Sequence, residues 1–239
     1  MYEIIKNKFL EIIEGMDLES EEVRIFAKPL TPEEAIGNPE DQDYPIQKGK
    51  ERLLQAEFRG SHGQAFTDMF GNYEGKLSQV VRMNLTNNFR RAIFIATINA
   101  VMRYLGRVSK TIHCKDKDPK ECGQELVKYI NKSYGNPKVM LVGLQPRMLE
   151  AMKKEFELKV TDMDKDNIGQ EKYGIRIDPP EKTKENLKWC DIALVTGTTV
   201  INNTISEYNN MAKPTIFYGV TVSGVAHLLG LDHFCPISR

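Results

Sequence analysis

The sequence predicts an α/β protein with two unlike parts: an α+β part over residues 1–134, then a parallel α/β part over residues 135–239. Three observations carry that expectation. Between residues 137 and 239, short apolar runs alternate with amphipathic stretches at the spacing of βαβ units. Before residue 134, a long apolar helix follows segments of mixed character. The join "KSYGNPK" carries the Gly, Asn and Pro punctuation typical of a domain boundary.

In chain order, residues 2–14 form an amphipathic helix and "EVRIFAKPL" a strand. "TPEEAIGNPEDQDYP" is rich in turn formers and is expected to be a long loop. A helical stretch near "GKERLLQAEF", a loop "RGSHGQAFTDMFGNYEG" and a helix near "KLSQVVRM" follow. From about Asn88 a helix runs to a C-cap at Gly106. It is apolar nearly all round and therefore buried, so Thr97 and Asn99 inside it need partners. A further helix starts at "DPKECGQELVKYI". The strands of the second part are 137–144, 158–164, 191–198 and "PTIFYGVT". Between them lie the helices "RMLEAMKKEF", which Pro146 opens, "EKTKENLKW", and "TISEYNNM" with a Thr204–Glu207 capping box. "SGVAHLLGL" is a short helix and "HFCPI" closes the chain. Such an alternation is a doubly wound sheet of Rossmann type.

With 41% hydrophobic and 28% charged residues, the composition is that of an ordinary globular protein. No apolar run approaches the ~18 residues of a membrane span. The N-terminus lacks the basic start, apolar block and cleavage site of a signal peptide, so a cytoplasmic protein is the default expectation. Zero net charge argues against non-specific nucleic-acid binding. The charge is unevenly spread, with eleven acids and two bases over residues 11–43. Residues 75–115 hold eight bases and no acid. That segment is either a solvated face or an electropositive wall facing an anionic ligand. Arg90 and Arg91 at the positive end of the long helix hint at an anion nearby.

Ligands of open α/β sheets bind beyond the carboxyl ends of the strands. The first such end, "VGLQP", offers Gly143 but no G-x-G-x-x-G, which counts against a standard dinucleotide site. Asp162 stands 19 residues past Gly143, a ribose-binding spacing. "TGTTVINNT" crowds Thr196, Gly197, Thr198, Thr199 and Asn202 between a strand and a helix start and suits a ligand-binding loop.

"TIHCKDKDPKEC" sets His113 beside Cys114, with Cys122 eight residues further on. That does not match the paired spacing of common zinc modules. It leaves three readings: a loop with a buried thiol, a metal site, or a Cys114 thiolate activated by His113. Cys235 in "HFCP" would complete a soft-ligand set if the two regions meet, with a transition or heavy metal ion bound. Cys190 enters a strand and is expected to be core.

Several of these stretches together resemble a known family. In order they are "LTPEEAIG", "DYPIQKGKERLLQAEF", "GQAFTD", "FRRAIFIATINAVMRYLG", "KTIHCKD", "VTGTTVINNT" and "FCP". They are similar to the putative heavy-metal chelation family, domain of unknown function 364. Where that family is expected to carry Asn-Arg-Ala, this chain reads Asn-Phe-Arg-Arg-Ala. The resemblance implies an enolase-N-terminal-like domain followed by a Rossmann-like domain, with an active site in the cleft between them. It further implies that Asn99, His113, Cys114 and Thr196–Thr199 converge there. The expected ligand is a small anion or a metal chelate. A small-molecule enzyme using Cys114, with the threonine loop as anion hole, is the alternative. A homodimer is the base-rate expectation for assembly.

Overall fold

The computed structural model describes residues 1–18, 24–39, 41, 43–44 and 46–239. Its elements are α1 (Tyr2–Gly15), β1 (Arg24–Pro29), α2 (Pro32–Ile36), β2 (Arg52–Phe58), β3 (Ser61–Thr67), β4 (Tyr73–Lys76), α3 (Leu77–Val81) and α4 (Asn88–Tyr104). Then come α5 (Asp118–Tyr134), β5 (Val139–Val142), α6 (Pro146–Met152), β6 (Leu158–Thr161), β7 (Glu171–Lys172) and β8 (Ile175–Asp178). α7 (Thr183–Trp189), β9 (Ile192–Thr196), β10 (Thr215–Tyr218), α8 (Ser223–Leu229) and β11 (His233–Phe234) complete the chain. Among the described residues the strands form two sheets. An antiparallel sheet has the order β3-β2-β1-β4. A mixed sheet has the order β11-β10-β9-β5-β6-β8-β7, parallel except for the β7–β8 hairpin. No described helix is long and apolar enough to cross a membrane.

Helix α4 lies between the sheets. Asn87 caps its start by accepting from the Arg90 amide at 2.9 Å. Residues Ala92–Met102 are all buried, as an all-round apolar helix requires. β3 meets one side so closely that Gly63 has no room for a side chain. A Cβ there would stand 2.2 Å from the Ala100 nitrogen. The other side of α4 meets α8 and the parallel sheet. Met140, Val142, Ala193, Val195 and Phe217 share one core with it. The alternate residues Val139, Leu141, Ile192, Leu194 and Ile216 face away, into a second core under α5 and α6. Helices cover this sheet on both faces, as its unbroken apolar strands demand.

Asn99 is fully buried at the centre. Its Nδ2 donates to the carbonyls of Gln64, Val220 and Thr221 at 2.9–3.1 Å, and its Oδ1 accepts from the Gly224 amide at 2.7 Å. Thr97, its buried neighbour, has an Oγ1 with no hydrogen-bond partner among the described residues.

The structure corrects several element expectations. Residues 52–58 are a strand, although Leu, Gln, Ala and Glu favour helix. Pairing on both edges, with β1 and with β3, overrides propensity. The expected loop 59–75 contains β3 and β4. The β2–β3 hairpin turns on Arg59 (φ 48) and Gly60 (φ 77), a two-residue turn with both φ positive. Likewise the polar loop after β6 holds the β7–β8 hairpin, turned on Tyr173 and Gly174. The long turn-rich segment starts with α2, which Thr31 and Glu34 cap reciprocally. "TISEYNNM" is only a 3-10 turn over Ile205–Glu207, and the Thr204 side chain does not cap it.

The buried amide and the lone hydroxyl set opposite expectations. Asn99→Ala leaves the Gly224 amide and three carbonyls unpaired, and should cost about 3 kcal/mol in urea unfolding. Thr97→Val keeps the shape and removes an unpaired hydroxyl, so stability should hold or rise by up to about 1 kcal/mol.

Candidate functional site

A cavity of about 560 Å³ opens between the two sheets. One wall is the carboxyl ends of the parallel strands, where Gly143, Asp162 and Gly219 follow β5, β6 and β10 and Thr196 ends β9. The opposite wall comes from Tyr44, Lys50, Glu51 and Phe66–Asp68. The His113–Cys114 segment and Cys235 close one end. Exposed Asp68, Met163 and Glu207 mark the mouth.

Backbone pairing makes that end. The amides of Thr111 and Ile112 donate to the Arg239 carbonyl, and the Arg239 amide donates to Ile112. Lys110 Nζ donates to the carbonyls of Pro236 and Ser238. The two cysteine regions therefore meet. Burial, and then the nearby Cys235 and Cys122 thiols, push the Cys114 thiol far above the ordinary thiol range. Burial pushes Cys122 up to about 12, and it raises Cys235. His113 stacks edge-on against Phe66 at 5.1 Å, and burial lowers it to about 4. Its Nδ1 is buried without a hydrogen-bond partner among the described residues. At neutral pH this end holds three protonated thiols and a neutral imidazole. An activated Cys114 thiolate has no support in that setting, because burial opposes the charge and no imidazolium stands by to balance it.

The other residues divide the cavity unequally by charge. Glu51, Asp68, Asp162, Asp164 and Glu207 line it against Lys50 alone among the described cations. Lys50 Nζ is already bonded to both Asp164 oxygens at 2.7 Å and to Asp166 at 2.5 Å. Burial, and then the charges of Asp162, Asp68 and Asp164, raise Glu51 to about 7. None of the eight bases of residues 75–115 lines the cavity. Arg90, Arg91, Arg103 and Lys110 are bonded to main-chain carbonyls instead. Arg91, which reaches the Ile201 and Leu85 carbonyls, resolves the conflict at the start of α4 without an anion.

Asn99 does not line the cavity, because its amide is used entirely inside the core. Gly143, Asp162, Thr196, Gly197, Thr198, Thr199 and Asn202 do line it, as do His113, Cys114, Cys122 and Cys235. Several of them are already engaged. Asp162 accepts from the amides of Leu144 at 2.6 Å and Asp164 at 2.7 Å, so it staples two strand-end loops. Gly197 is required by packing rather than ligand approach, since a Cβ would meet the Val222 nitrogen at 2.9 Å. Thr199 donates to the Thr196 carbonyl, and the Thr196 and Thr198 hydroxyls bond to each other. The sequence places Asp164 with Asp162 at the end of the second parallel strand, but it carries no sign of Glu51, Asp68 and Lys50. All three sit beside strands expected as helix or loop.

A family model described as DUF364, "Putative heavy-metal chelation", matches residues 127–231. A solved structure of unknown function from that family, from Pyrococcus horikoshii, is similar with a TM-score of 0.56 and 15% identity. That match covers 92% of this chain and 79% of the other. A second, from Desulfitobacterium hafniense, has a TM-score of 0.50 and 16% identity, covering 75% and 73%. At these identities the likeness is one of fold. No curated protein matches the chain.

Two groups of the cavity tie stability to pH in opposite senses. Glu51 holds its proton up to about pH 7 when folded and releases it near 4.5 when unfolded. Its destabilising effect is therefore absent below the lower value and complete above the higher one. His113 acts the other way, and its contribution is lost as pH falls from about 6.5 to about 4. Glu51→Gln should raise stability above pH 7 by about 1–3 kcal/mol and change little near pH 4. Urea unfolding across that range checks it, and an equal gain at both ends would refute the titration.

Proposed function

We propose that the chain binds a small metal chelate as cargo in the cavity between its sheets. Its two parts, 1–134 and 135–239, would then correspond to an enolase-N-like and a Rossmann-like domain. The observation that carries the reading is the convergence of Cys114, Cys122, Cys235 and a neutral His113 on one end of an acid-lined cavity. Thiolate sulfur and neutral imidazole nitrogen are the donors that soft and borderline metals prefer. Five acidic side chains against one engaged ammonium among the described residues favour a cationic ligand over the anion that the basic segment suggested. The family description of residues 127–231 points the same way.

The donors fit such cargo in kind. No three His, Cys, Asp or Glu side chains among the described residues are set to share one ion. A metal held here keeps ligands of its own, and the protein adds one or two soft donors. Because the thiols are protonated, binding releases protons and tightens as pH rises.

Cadmium tests this. Offered as its citrate complex, it should bind in one equivalent and develop a sulfur-to-cadmium charge-transfer band in the ultraviolet. Cys114→Ser or Cys235→Ser should weaken binding by about tenfold or more. Calorimetry with no heat and no band, for free cadmium and complex alike, would sink the reading.

A further inference from the structure

We infer that two ion-pair latches close the cavity, and that its contents exchange when the latches open. The first joins Lys50, just before β2, to Asp164 and Asp166 in the loop after β6. Lys50 and Asp164 both line the cavity, so their bond forms part of its wall from opposite sides. Burial alone would raise the Asp164 carboxyl, but the Lys50 bond outweighs it and holds it low. The second latch centres on Arg147 in α6, only 6% exposed. Its guanidinium meets Asp41 at 3.2 Å, Asp43 at 3.1 Å, Glu150 at 2.8 Å and the Tyr173 hydroxyl at 2.5 Å. Lys172 and Lys120 add outer contacts to the same two aspartates. Asp43 adjoins Tyr44, which lines the cavity near Cys114.

The two latches differ in strength. Arg147 binds several acceptors in a largely desolvated place, where salt screens little. Lys50 is 34% exposed and Asp166 77%, so that bridge is weak and screened by salt. Cys114 and Cys122 are 8% and 5% exposed, which makes them reporters of any opening. Cys190, 2% exposed and outside the cavity, reports unfolding instead. The Lys50 latch is therefore the one that opens first. It serves the ligand cavity proposed above, yet its test needs no ligand. Failure to bind cadmium and failure of the latch are separate results.

The experiment is iodoacetamide labelling of the native full chain near pH 8.5, close to the ordinary thiol pKa. Peptide mass spectrometry follows each cysteine separately. Raising salt from about 0.1 to about 1 M shortens the screening length from about 10 to about 3 Å. Labelling of Cys114 and Cys122 should then quicken severalfold while Cys190 stays slow. Lys50→Met should give the fast rate at low salt and abolish the salt effect. Asp166→Asn, which keeps the Asp164 bond, should lie between. Rates of Cys114 and Cys122 that ignore both salt and Lys50→Met would overturn the latch. So would rates that rise in step with Cys190, because that pattern is global unfolding.

Discussion

The Asn99 side chain joins the two layers of this protein. It sits in the middle of a helix otherwise built from apolar residues, and both ends of its amide are used. One direction is β3, through the Gln64 carbonyl; the other is the Val220–Gly224 segment that opens α8. A buried amide leaves little freedom in how the layers sit, because any slide would strip donors and acceptors in a place that water does not reach. Gly63 and Gly224, where a Cβ would meet α4 at 2.2 and 2.7 Å, allow the backbones that approach. The cavity width follows from this join, since β3 continues into Phe66–Asp68 on one wall and the strand ends form the other. Thr221, which accepts from the Phe66 amide at 3.0 Å, repeats the tie at the rim.

The chemistry of the cavity follows from what the join brings face to face. The parallel sheet presents Asp162 and Asp164 at one strand end, and the antiparallel sheet presents Glu51 and Asp68 opposite. Burial, and then the charges of Asp162, Asp68 and Asp164, raise the Glu51 carboxyl. At the other end there is no such charge, only thiols and a ring that burial keeps neutral. A ligand spanning the cavity would meet hard oxygen at one end and soft sulfur at the other.

Much of the second part was legible because a buried parallel strand has a plain signature. "VMLV" and "IALVT" are unbroken apolar runs between polar segments, and the residues after them reach the cavity as strand-end loops must. The first sheet was obscure for an equally physical reason. "RLLQAEF" is composed of helix formers, and only its pairing partners make it a strand. Its hairpin turns on Arg-Gly, without the Asn or Asp that usually announces such a turn. Glu51 was lost with that strand. Asn99 was visible as a polar residue in an apolar helix, but its spacing is the same whether an amide serves a ligand or the core. The meeting of Cys235 with Cys114 was beyond reach, because only the backbone pairing of residues 111–112 with Arg239 creates it.

That same join bears on how the chain reaches its native state. The Asn99 contacts span 35 residues in one direction and as many as 125 in the other. Closing loops of such unequal length is an ordered process: the short one forms readily, while the long one waits for β5, β9 and β10 to assemble. Until then the α8-facing side of α4 has no cover, and a largely apolar helix is left half wet. The last step of folding and the completion of the cavity are on this account one event, and a chain slow to bring α8 home would be exposed to self-association rather than merely lacking a site.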